Sequence, residues 1–204
     1  MSKLFLIKNI EFNVTTCMAP ASLHEDIYEI LFRYKKRMCD KFNDIKGILL
    51  IDHFALHLID QNNKILVFSV TPSVEYNLLN EGLWMYDQAF SADYQKENKF
   101  YWWEKAYDEH YFSEIKQAKE LKHGFKFGVN LSKTVQSAQL IYSFATRSQK
   151  GNLFDYYREY ISELYSIGDY MYNSVCKEYG KTKSNHPFLK LIKLKDYTRN
   201  KNES

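Results

Sequence analysis

The clearest pattern of apolar positions follows Ser22, where such side chains recur at the three- and four-residue spacing of an amphipathic helix. They are Ile27, Ile30, Leu31, Tyr34 and Met38. Ser22 lies three residues before Glu25, the spacing of a reciprocal N-terminal capping box. The pattern therefore predicts a helix that begins at Ser22 and continues to Phe42. The apolar stretch before it, residues 3–16, fits either a strand or a first helix.

Two later segments have the alternation and the turn residues of β-hairpins. The first covers residues 48–72, where the polar stretch Asp60–Lys64 separates two β-rich runs and Pro72 ends the second. The second covers residues 124–148, where apolar side chains occupy every other position at its start. These segments predict at least four strands that pair antiparallel.

Helical spacing recurs between and after the hairpins. Between them it covers Ser73–Asn80, Trp84–Ala92 and Asp108–Lys122. After them a long apolar stripe runs over Leu153–Val175, and such a stripe must cover another apolar surface. Helices before, between and after the strands predict an α+β fold, with an antiparallel sheet sandwiched between helices in an α-β-α arrangement.

Composition narrows the class of protein. The chain has 204 residues and 45% hydrophobic content, so we expect one domain over residues 1–180 and a charged tail over residues 181–204. The net charge of +3 balances 28 basic against 25 acidic residues, which is too even for a nucleic-acid-binding surface. The three cysteines share no CxxC spacing, so neither a disulfide framework nor a zinc site is indicated. Without a secretory signal or an apolar run of about 20 residues, the chain is expected to be cytoplasmic with no membrane contact.

Aromatic residues make up 17% of the chain and are densest at residues 100–112, FYWWEKAYDEHYF. Such a stretch fits a catalytic constellation, a nucleic-acid stacking platform or the wall of a small-molecule pocket. The basic segment FRYKKR at residues 32–37 has the rings and charges for nucleic acid, but it is more simply the solvent-facing side of the first helix. We therefore expect no direct nucleic acid binding by this chain.

Catalytic and metal-binding patterns are weak. His53 and His57 lie in a strand-like run, where their side chains would be roughly 13 Å apart and unsuited to sharing a metal. Asp108 and Glu109 precede a predicted helix, where carboxylates interact favourably with the helix dipole. The chain has no GxSxG, P-loop or GxGxxG motif. We expect no enzyme, no metal and no cofactor.

The helix before the second hairpin and the hairpin itself resemble a known family. Residues 114–148, EIKQAKELKHGFKFGVNLSKTVQSAQLIYSFATRS, are similar to the second half of the autoinducer-binding domain of LuxR-type quorum-sensing regulators. There an alanine-bearing helix leads through a glycine into an alternating strand, a turn and a strand that ends in Ser or Thr. The resemblance covers about residues 48–179. It implies a PAS/GAF-like autoinducer-binding fold and a noncatalytic role in transcription regulation through a small-molecule signal.

The resemblance also implies pocket residues. YDQAF at residues 86–90 lies where the family carries Asp-Pro-Val, so Asp87 would be a lone carboxylate that accepts a hydrogen bond from an acyl amide. Trp102, fifteen positions on, would press its ring on the ligand, and Thr146 would contact the acyl side. With Tyr101, these positions make FYWWEKAY a pocket wall. Their ordinary alternatives are a helix-capping Asp and a core Trp.

Two features depart from a standard acyl-homoserine lactone receptor. Where the family has a Trp and a Tyr that donate to the carbonyl groups of the ligand, this chain has Val74 and Leu78, and Tyr76 or Trp84 would have to replace them. The proline of Asp-Pro-Val is replaced by Gln88. The pocket is therefore expected to take an acyl-homoserine-lactone-like or other amphiphilic ligand through fewer polar contacts, or none at all.

LuxR-type regulators continue into a helix-turn-helix domain, whereas this sequence ends at Ser204. It is therefore expected to be either an excised sensor domain or, slightly favoured, a stand-alone protein. The expected partners are a small-molecule signal and a second protein chain, in a homodimer or in a heterodimer with a LuxR-type regulator. The alternative function is a ligand-independent decoy that pairs with a full-length LuxR-type regulator. The stripe Leu153–Val175 is the candidate pairing surface, although a helix that covers its own sheet is the commoner use of such a stripe.

Overall fold

A computed structural model describes residues 20–135 and 138–182. The described residues form six strands and seven α-helices in one mixed α+β unit. The strands are β1 (Ser22–Leu23), β2 (His53–Ile59), β3 (Lys64–Ser69), β4 (Phe100–Trp102), β5 (Phe127–Val135) and β6 (Ala138–Thr146). The helices are α1 (Ile27–Arg33), α2 (Lys35–Phe42), α3 (Pro72–Asn80), α4 (Ala92–Glu97), α5 (Phe112–Lys119), α6 (Leu153–Glu159) and α7 (Ile161–Thr182).

The strands form one sheet in the order β1-β3-β2-β6-β5-β4, in which only β1 and β3 pair in parallel. Both predicted hairpins are confirmed, and they meet through β2 and β6, where Leu56 lies opposite Tyr142. In the β2–β3 turn the Asp60 side chain accepts hydrogen bonds from the backbone N–H groups of Asn62 and Lys64, at 2.8 and 2.9 Å. The turn of the β5–β6 hairpin, residues 136 and 137, lies outside the described residues.

Helices cover both faces of the sheet, which confirms the predicted sandwich. Because side chains alternate along each strand, each face has its own apolar cluster. On the α7 face, α2, α6 and α7 pack against strand residues such as Leu56 and Phe144. On the α3 face, α1, α3 and α5 pack against strand residues such as Val67 and Ile141. No helix among the described residues has the length and apolar character needed to cross a membrane.

The stripe Leu153–Val175 lies against the α7 face and is divided between α6 and α7. Its members Tyr157, Leu164 and Met171 are fully buried. Gly168 brings α7 close to the sheet, since a Cβ at that position would lie 2.0 Å from the Tyr142 ring. The stripe therefore covers its own sheet and is not an exposed pairing surface, which corrects the pairing-surface hypothesis.

The first predicted helix was wrong at its start. Ser22 belongs to β1, where it pairs with Lys64 at the edge of β3. The exposed edge of a sheet offers unpaired backbone groups, and pairing with them replaces the capping box in this sequence. Glu25 forms an ion pair with Lys64 at 3.0 Å instead of capping a helix. The helix itself begins at Ile27 and is interrupted at Tyr34.

The helix predicted over Trp84–Ala92 was also wrong. Two short 3₁₀ turns, Leu83–Tyr86 and Gln88–Phe90, take its place. Asp87 between them is extended, because its backbone forms a bridge with Tyr107. Residues 3–16 and most of the predicted tail, residues 183–204, lie outside the described residues.

The predicted Asp108–Lys122 helix is shorter than expected. Helix α5 begins only at Phe112, and the backbone N–H of His110 donates to Asp108 Oδ1 at 2.9 Å in the turn before it. Asp108 therefore stabilises a turn and does not lie in the first turn of the helix.

Candidate functional site

Buried polar side chains are concentrated on the α3 face, between the sheet and helices α3 and α5. The strands and the helical layer both contribute, and no charged side chain in the group is more than 4% exposed. We define the buried polar cluster as His53, His57, Glu75, Asp87, Gln95 and Lys119. Polar groups in such surroundings are stable only where they find partners, so the contacts of each decide what the site can do.

Asp87 lies inside the protein, but it is not the lone carboxylate that the sequence predicted. Its Oδ2 is 2.7 Å from Lys119 Nζ, and its Oδ1 accepts a hydrogen bond from the Ala89 N–H at 3.0 Å. Lys119 Nζ also lies 4.6 Å from the centre of the Trp103 ring and 5.2 Å from that of Tyr107. No local pattern indicates this partner, because Lys119 lies 32 residues away, at the end of α5.

Trp103, and not Trp102, faces Asp87 and Lys119. Its indole Nε1–H donates to Asn130 Oδ1 at 3.0 Å and to Ser143 Oγ at 2.9 Å. The ring lies over Gly128, where a Cβ would come within 2.1 Å of it. Trp102 points to the α7 face. There its ring meets Phe154 edge-on at 4.8 Å between centroids. The two tryptophans lie on opposite faces of the sheet, because one position along an extended chain reverses the face.

Thr146 and Tyr76, which were also predicted to line the ligand pocket, do not lie beside Asp87 either. Thr146 shares the alternation of Tyr142 and Phe144 on β6 and so belongs to the α7 face. Its hydroxyl donates to Asp52 Oδ2 at 3.4 Å and accepts from the Ser148 N–H at 3.0 Å. Tyr76 lies on the outer side of α3, where its ring contacts two exposed rings of α1. These contacts contradict a shared pocket of Asp87 with Trp102, Thr146 and Tyr76.

Tyr101 and Trp84 lie on the same face as Asp87. The Tyr101 hydroxyl accepts from Gln95 Nε2 at 2.5 Å and from Asn130 Nδ2 at 3.1 Å. Trp84 packs at the margin of the same apolar cluster, with its ring edge-on to Phe90 at 6.3 Å. The structure therefore brings together three of the six predicted site residues.

A further part of the cluster was missed by the sequence reasoning. Glu75 Oε1 lies 3.5 Å from His53 Nε2, and both side chains are almost fully buried. A sign of it was present, since Glu75 lies three and four residues before Leu78 and Leu79 and thus on the apolar side of α3. His53 and His57, four residues apart on a strand, likewise share one face.

Several polar atoms of this part lack a hydrogen bond. They are both ring nitrogens of His53, Nδ1 of His57, Oε2 of Glu75 and Oε1 of Gln95, counted against all residues that the structure describes. Apolar rings surround them. Trp103 and Phe125 lie 5.9 and 5.2 Å from the His53 ring, and Phe90 lies 5.1 Å from that of His57. The site therefore places unpaired polar atoms among apolar rings.

Burial and neighbouring charges shift the pKa values of His57 and Glu75 in the buried polar cluster. Burial lowers the pKa of His57 to about 4, because the imidazolium would lose its hydration and the charge of Glu75 compensates only in part. Burial opposes ionisation of Glu75, but its contact with His53 and the charges of both histidines leave the pKa of Glu75 below its usual value. At neutral pH, His57 is therefore uncharged and Glu75 is a carboxylate.

A solvent-accessible cleft of about 120 Å³ lies beside the cluster. Its walls are Trp102, Trp103, Glu104, Glu120, Lys126, Phe127 and Gly128. Burial raises the pKa of Glu120, whose Oε1 accepts a hydrogen bond from the Tyr107 hydroxyl at 2.8 Å. Trp103 lines this cleft and also contacts Lys119, so the cleft and the buried polar cluster share one side chain.

The described residues contain no group of three His, Cys, Asp or Glu side chains arranged to hold a metal ion. The contacts of Glu75 also differ from those of a catalytic triad. Glu75 interacts with both His53 and Ser69, whereas a triad requires the imidazole to lie between the carboxylate and the hydroxyl.

No known protein family and no curated protein matches this sequence. Two similar solved structures are of SdiA from Escherichia coli. A crystal structure of SdiA is 17% identical, with a TM-score of 0.46, over 72% of this chain and 68% of that one. SdiA in complex with octanoyl-rac-glycerol is 14% identical, with a TM-score of 0.47, over 71% of this chain and 65% of that one. The chain thus spans about two thirds of the length of SdiA, and the likeness is one of fold.

Proposed function

We propose that this chain is a noncatalytic, ligand-sensing regulatory domain that binds a small amphiphilic signal on the α3 face of its sheet. The observation that supports this function is the set of unpaired polar atoms of Glu75, His53, His57 and Gln95 inside an apolar compartment. Each buried polar group without a partner costs about 1–3 kcal/mol, and a bound molecule with polar groups would remove that cost.

The compartment fits an amphiphile better than a wholly polar molecule. Aromatic rings of Phe90, Trp103 and Phe125 surround the two histidines, so most of the ligand surface would meet apolar carbon. The solvent-accessible cleft beside Trp103 is the proposed route by which the ligand enters.

Binding would act as a regulatory signal through stability. A molecule that binds only the folded domain stabilises it in proportion to the logarithm of its concentration. It would thereby favour the conformation that associates with a partner. With the resemblance to LuxR-type regulators, this proposal extends to cytoplasmic quorum sensing and transcription regulation, as a homodimer or a heterodimer with a LuxR-type regulator.

Thermal unfolding of the purified chain tests the function. The panel consists of octanoyl-glycerol, N-acyl homoserine lactones of several chain lengths and hydrophobic cell extracts. A sensor shows a melting temperature that rises with ligand concentration. A melting temperature that no member of the panel changes would reject the sensor function.

A ligand-independent interaction protein is the second candidate. One observation favours it: Tyr28, Phe32 and Tyr76 form an exposed aromatic group, with ring centroids of Tyr76 at 6.0 and 5.6 Å from the other two. Co-purification with a full-length LuxR-type regulator tests it. Loss of the complex in the double variant Phe32→Ser/Tyr76→Ser, together with no response to the ligand panel, would establish this function in place of the first.

A further inference from the structure

We infer that the solvent-accessible cleft beside Trp103 is a second binding site, for a small molecule with an ammonium group that donates to the carboxylate of Glu120. This site is separate from the one proposed on the α3 face, and the inference does not depend on the sensor function. The residues that carry it are Glu120 and the aromatic walls Trp102, Trp103 and Phe127.

Glu120 is a buried carboxylate with one oxygen left for a ligand. It lines the cleft although only 3% of the residue is exposed. The uncharged Tyr107 hydroxyl donates to Oε1 at 2.8 Å, whereas Oε2 has no hydrogen bond to any residue that the structure describes. Unlike Glu75 Oε2, this unpaired oxygen is not enclosed away from solvent. An ammonium group in the cleft would therefore supply Glu120 with a donor and a counter-charge.

The two carboxylates that line the cleft differ in their partners. Glu104 forms an ion pair with Lys116 at 2.5 Å, and both side chains are partly exposed. Glu120 has no ion pair within the part of the chain that the structure describes. A buried carboxylate without a counter-ion is unfavourable, so Glu120 is the one that a cation would stabilise. Burial raises the pKa of Glu120, as expected for a carboxylate that loses hydration without full compensation.

The nearby lysines do not cancel this preference for a cation. Asp87 neutralises Lys119 at 2.7 Å. Lys105 and Lys126 are exposed, so water and salt screen their charges. A charge acts more strongly where less water surrounds it, so the buried carboxylate of Glu120 decides the sign of the ligand.

The walls of the cleft suit the rest of such a molecule. Trp102, Trp103 and Phe127 present aromatic surface, on which a short hydrocarbon chain packs and toward which an ammonium group is attracted. One water needs at least about 10–15 Å³ of such space. A cleft of about 120 Å³ therefore has room for an amine of several non-hydrogen atoms.

Four probes with the same four-carbon chain test the inference: butylamine, 4-aminobutanoate, butanol and butanoate. NMR titration of the full chain follows the indole N–H signals of Trp102 and Trp103 at about pH 8, where the amines are protonated and Glu120 is ionised. We expect butylamine or 4-aminobutanoate to bind at least about tenfold more tightly than butanol and butanoate, because a hydrogen bond between charged groups is the stronger kind. No amphiphile is added, since the cleft is also the proposed entry route to the α3 face.

The two amines distinguish two sources of the ammonium group. Lys126 lines the cleft and would hold the carboxylate of an amino acid. Tighter binding of 4-aminobutanoate than of butylamine, with that advantage lost in Lys126→Gln, assigns the ligand to amino acids. Equal or tighter binding of butylamine assigns it to simple amines, and either result supports the inference.

The variant Glu120→Gln tests the assignment to this residue. It keeps the shape of the side chain and an acceptor for the Tyr107 hydroxyl, but it removes the charge. The affinity for butylamine should therefore fall about tenfold. Glu114→Gln is the matched control, since Glu114 lies exposed in the first turn of the same helix and should leave the affinity unchanged. If Glu120→Gln does not fold, the four probes on the unchanged chain still decide.

Three results would overturn the inference. They are equal or tighter binding of butanol or butanoate, unchanged affinity for butylamine in a folded Glu120→Gln variant, and a titration in which neither amine shifts the two indole signals. None of them bears on the sensor function, which the melting temperatures with the amphiphile panel test separately.

Discussion

Lys119 and Asp87 form an ion pair inside the protein, with Nζ 2.7 Å from Oδ2 and side chains that are 4% and 0% exposed. The pair joins the last residue of α5 to the extended residue between two 3₁₀ turns. The rings of Trp103 and Tyr107 and the Ala89 N–H complete its surroundings. The contacts of this pair fix how α5 lies over the candidate site.

Lys119→Met should lower the free energy of unfolding by about 3–5 kcal/mol, because it leaves the Asp87 carboxylate buried without its counter-charge. Urea unfolding measures the change. Lys116→Met is the control, since its ion pair with Glu104 is partly exposed and should be worth at most about 1 kcal/mol.

The double variant Asp87→Asn/Lys119→Met should recover much of that loss. Asparagine removes the charge and retains an oxygen that accepts the Ala89 N–H bond, so no unpaired charge remains. A double variant as unstable as Lys119→Met alone would show that the destabilisation comes from lost lysine packing and not from the unpaired charge.

Stability should fall as the pH drops from about 6.5 towards 4. His57 remains neutral in the folded chain down to a pKa of about 4, whereas the unfolded chain binds that proton near 6.5. The unfolded state therefore holds more protons across this window, which costs about 1.4 kcal/mol per pH unit below the unfolded pKa. Burial also lowers the pKa of the partly exposed His123, which acts in the same direction.

His57→Leu should flatten this pH dependence, as measured by urea unfolding at about pH 7 and about pH 5. His110→Leu should leave it unchanged, because His110 is 89% exposed. Below the usual pKa of Glu75, 4.5, further loss is expected as that carboxylate takes up a proton on unfolding. An undiminished slope in His57→Leu would refute the assignment.

Gly128→Ala should destabilise the protein by about 1–3 kcal/mol, because the new methyl group would overlap the Trp103 ring and displace it. Displacement also breaks the indole bonds to Asn130 and Ser143, so the tryptophan fluorescence should change. Gly151→Ala is the matched control, since no atom lies within 4 Å of a Cβ there. Equal effects of the two substitutions would contradict the close packing of Trp103.

Trp103→Phe and Trp102→Phe should differ in both stability and ligand response. The first leaves the buried acceptors Asn130 Oδ1 and Ser143 Oγ without their donor, which should cost about 1–3 kcal/mol, and it changes the wall of the proposed site. The second alters the α7 face and one wall of the cleft, at a cost to stability expected below the first. Calorimetry with 1-octanoyl-glycerol and urea unfolding measure both effects, and a ligand response lost only in Trp102→Phe would reverse the assignment of faces.

The periodicity of the chain predicted most of the architecture. Alternation and turn residues predicted both hairpins, and the stripe Leu153–Val175 predicted a helix that covers the sheet. These patterns depend on local sequence, since a face that must be buried repeats with the period of its own helix or strand. At Ser22 the local sequence favours the start of a helix, but the structure has a short strand there. Its backbone pairs with the edge of β3.

The sequence by itself therefore determined the α+β sandwich and both hairpins, whereas the burial of Asp87 was implied only by the resemblance to a known family. Only the tertiary structure decided which of two adjacent tryptophans faces the site, because β4 has three residues and takes its register from pairing with β5. It also decided that Lys119 neutralises Asp87 and that Glu75 meets His53. Those contacts join residues distant along the chain, and the packing of α3 and α5 on the sheet, rather than any local pattern, brings them together.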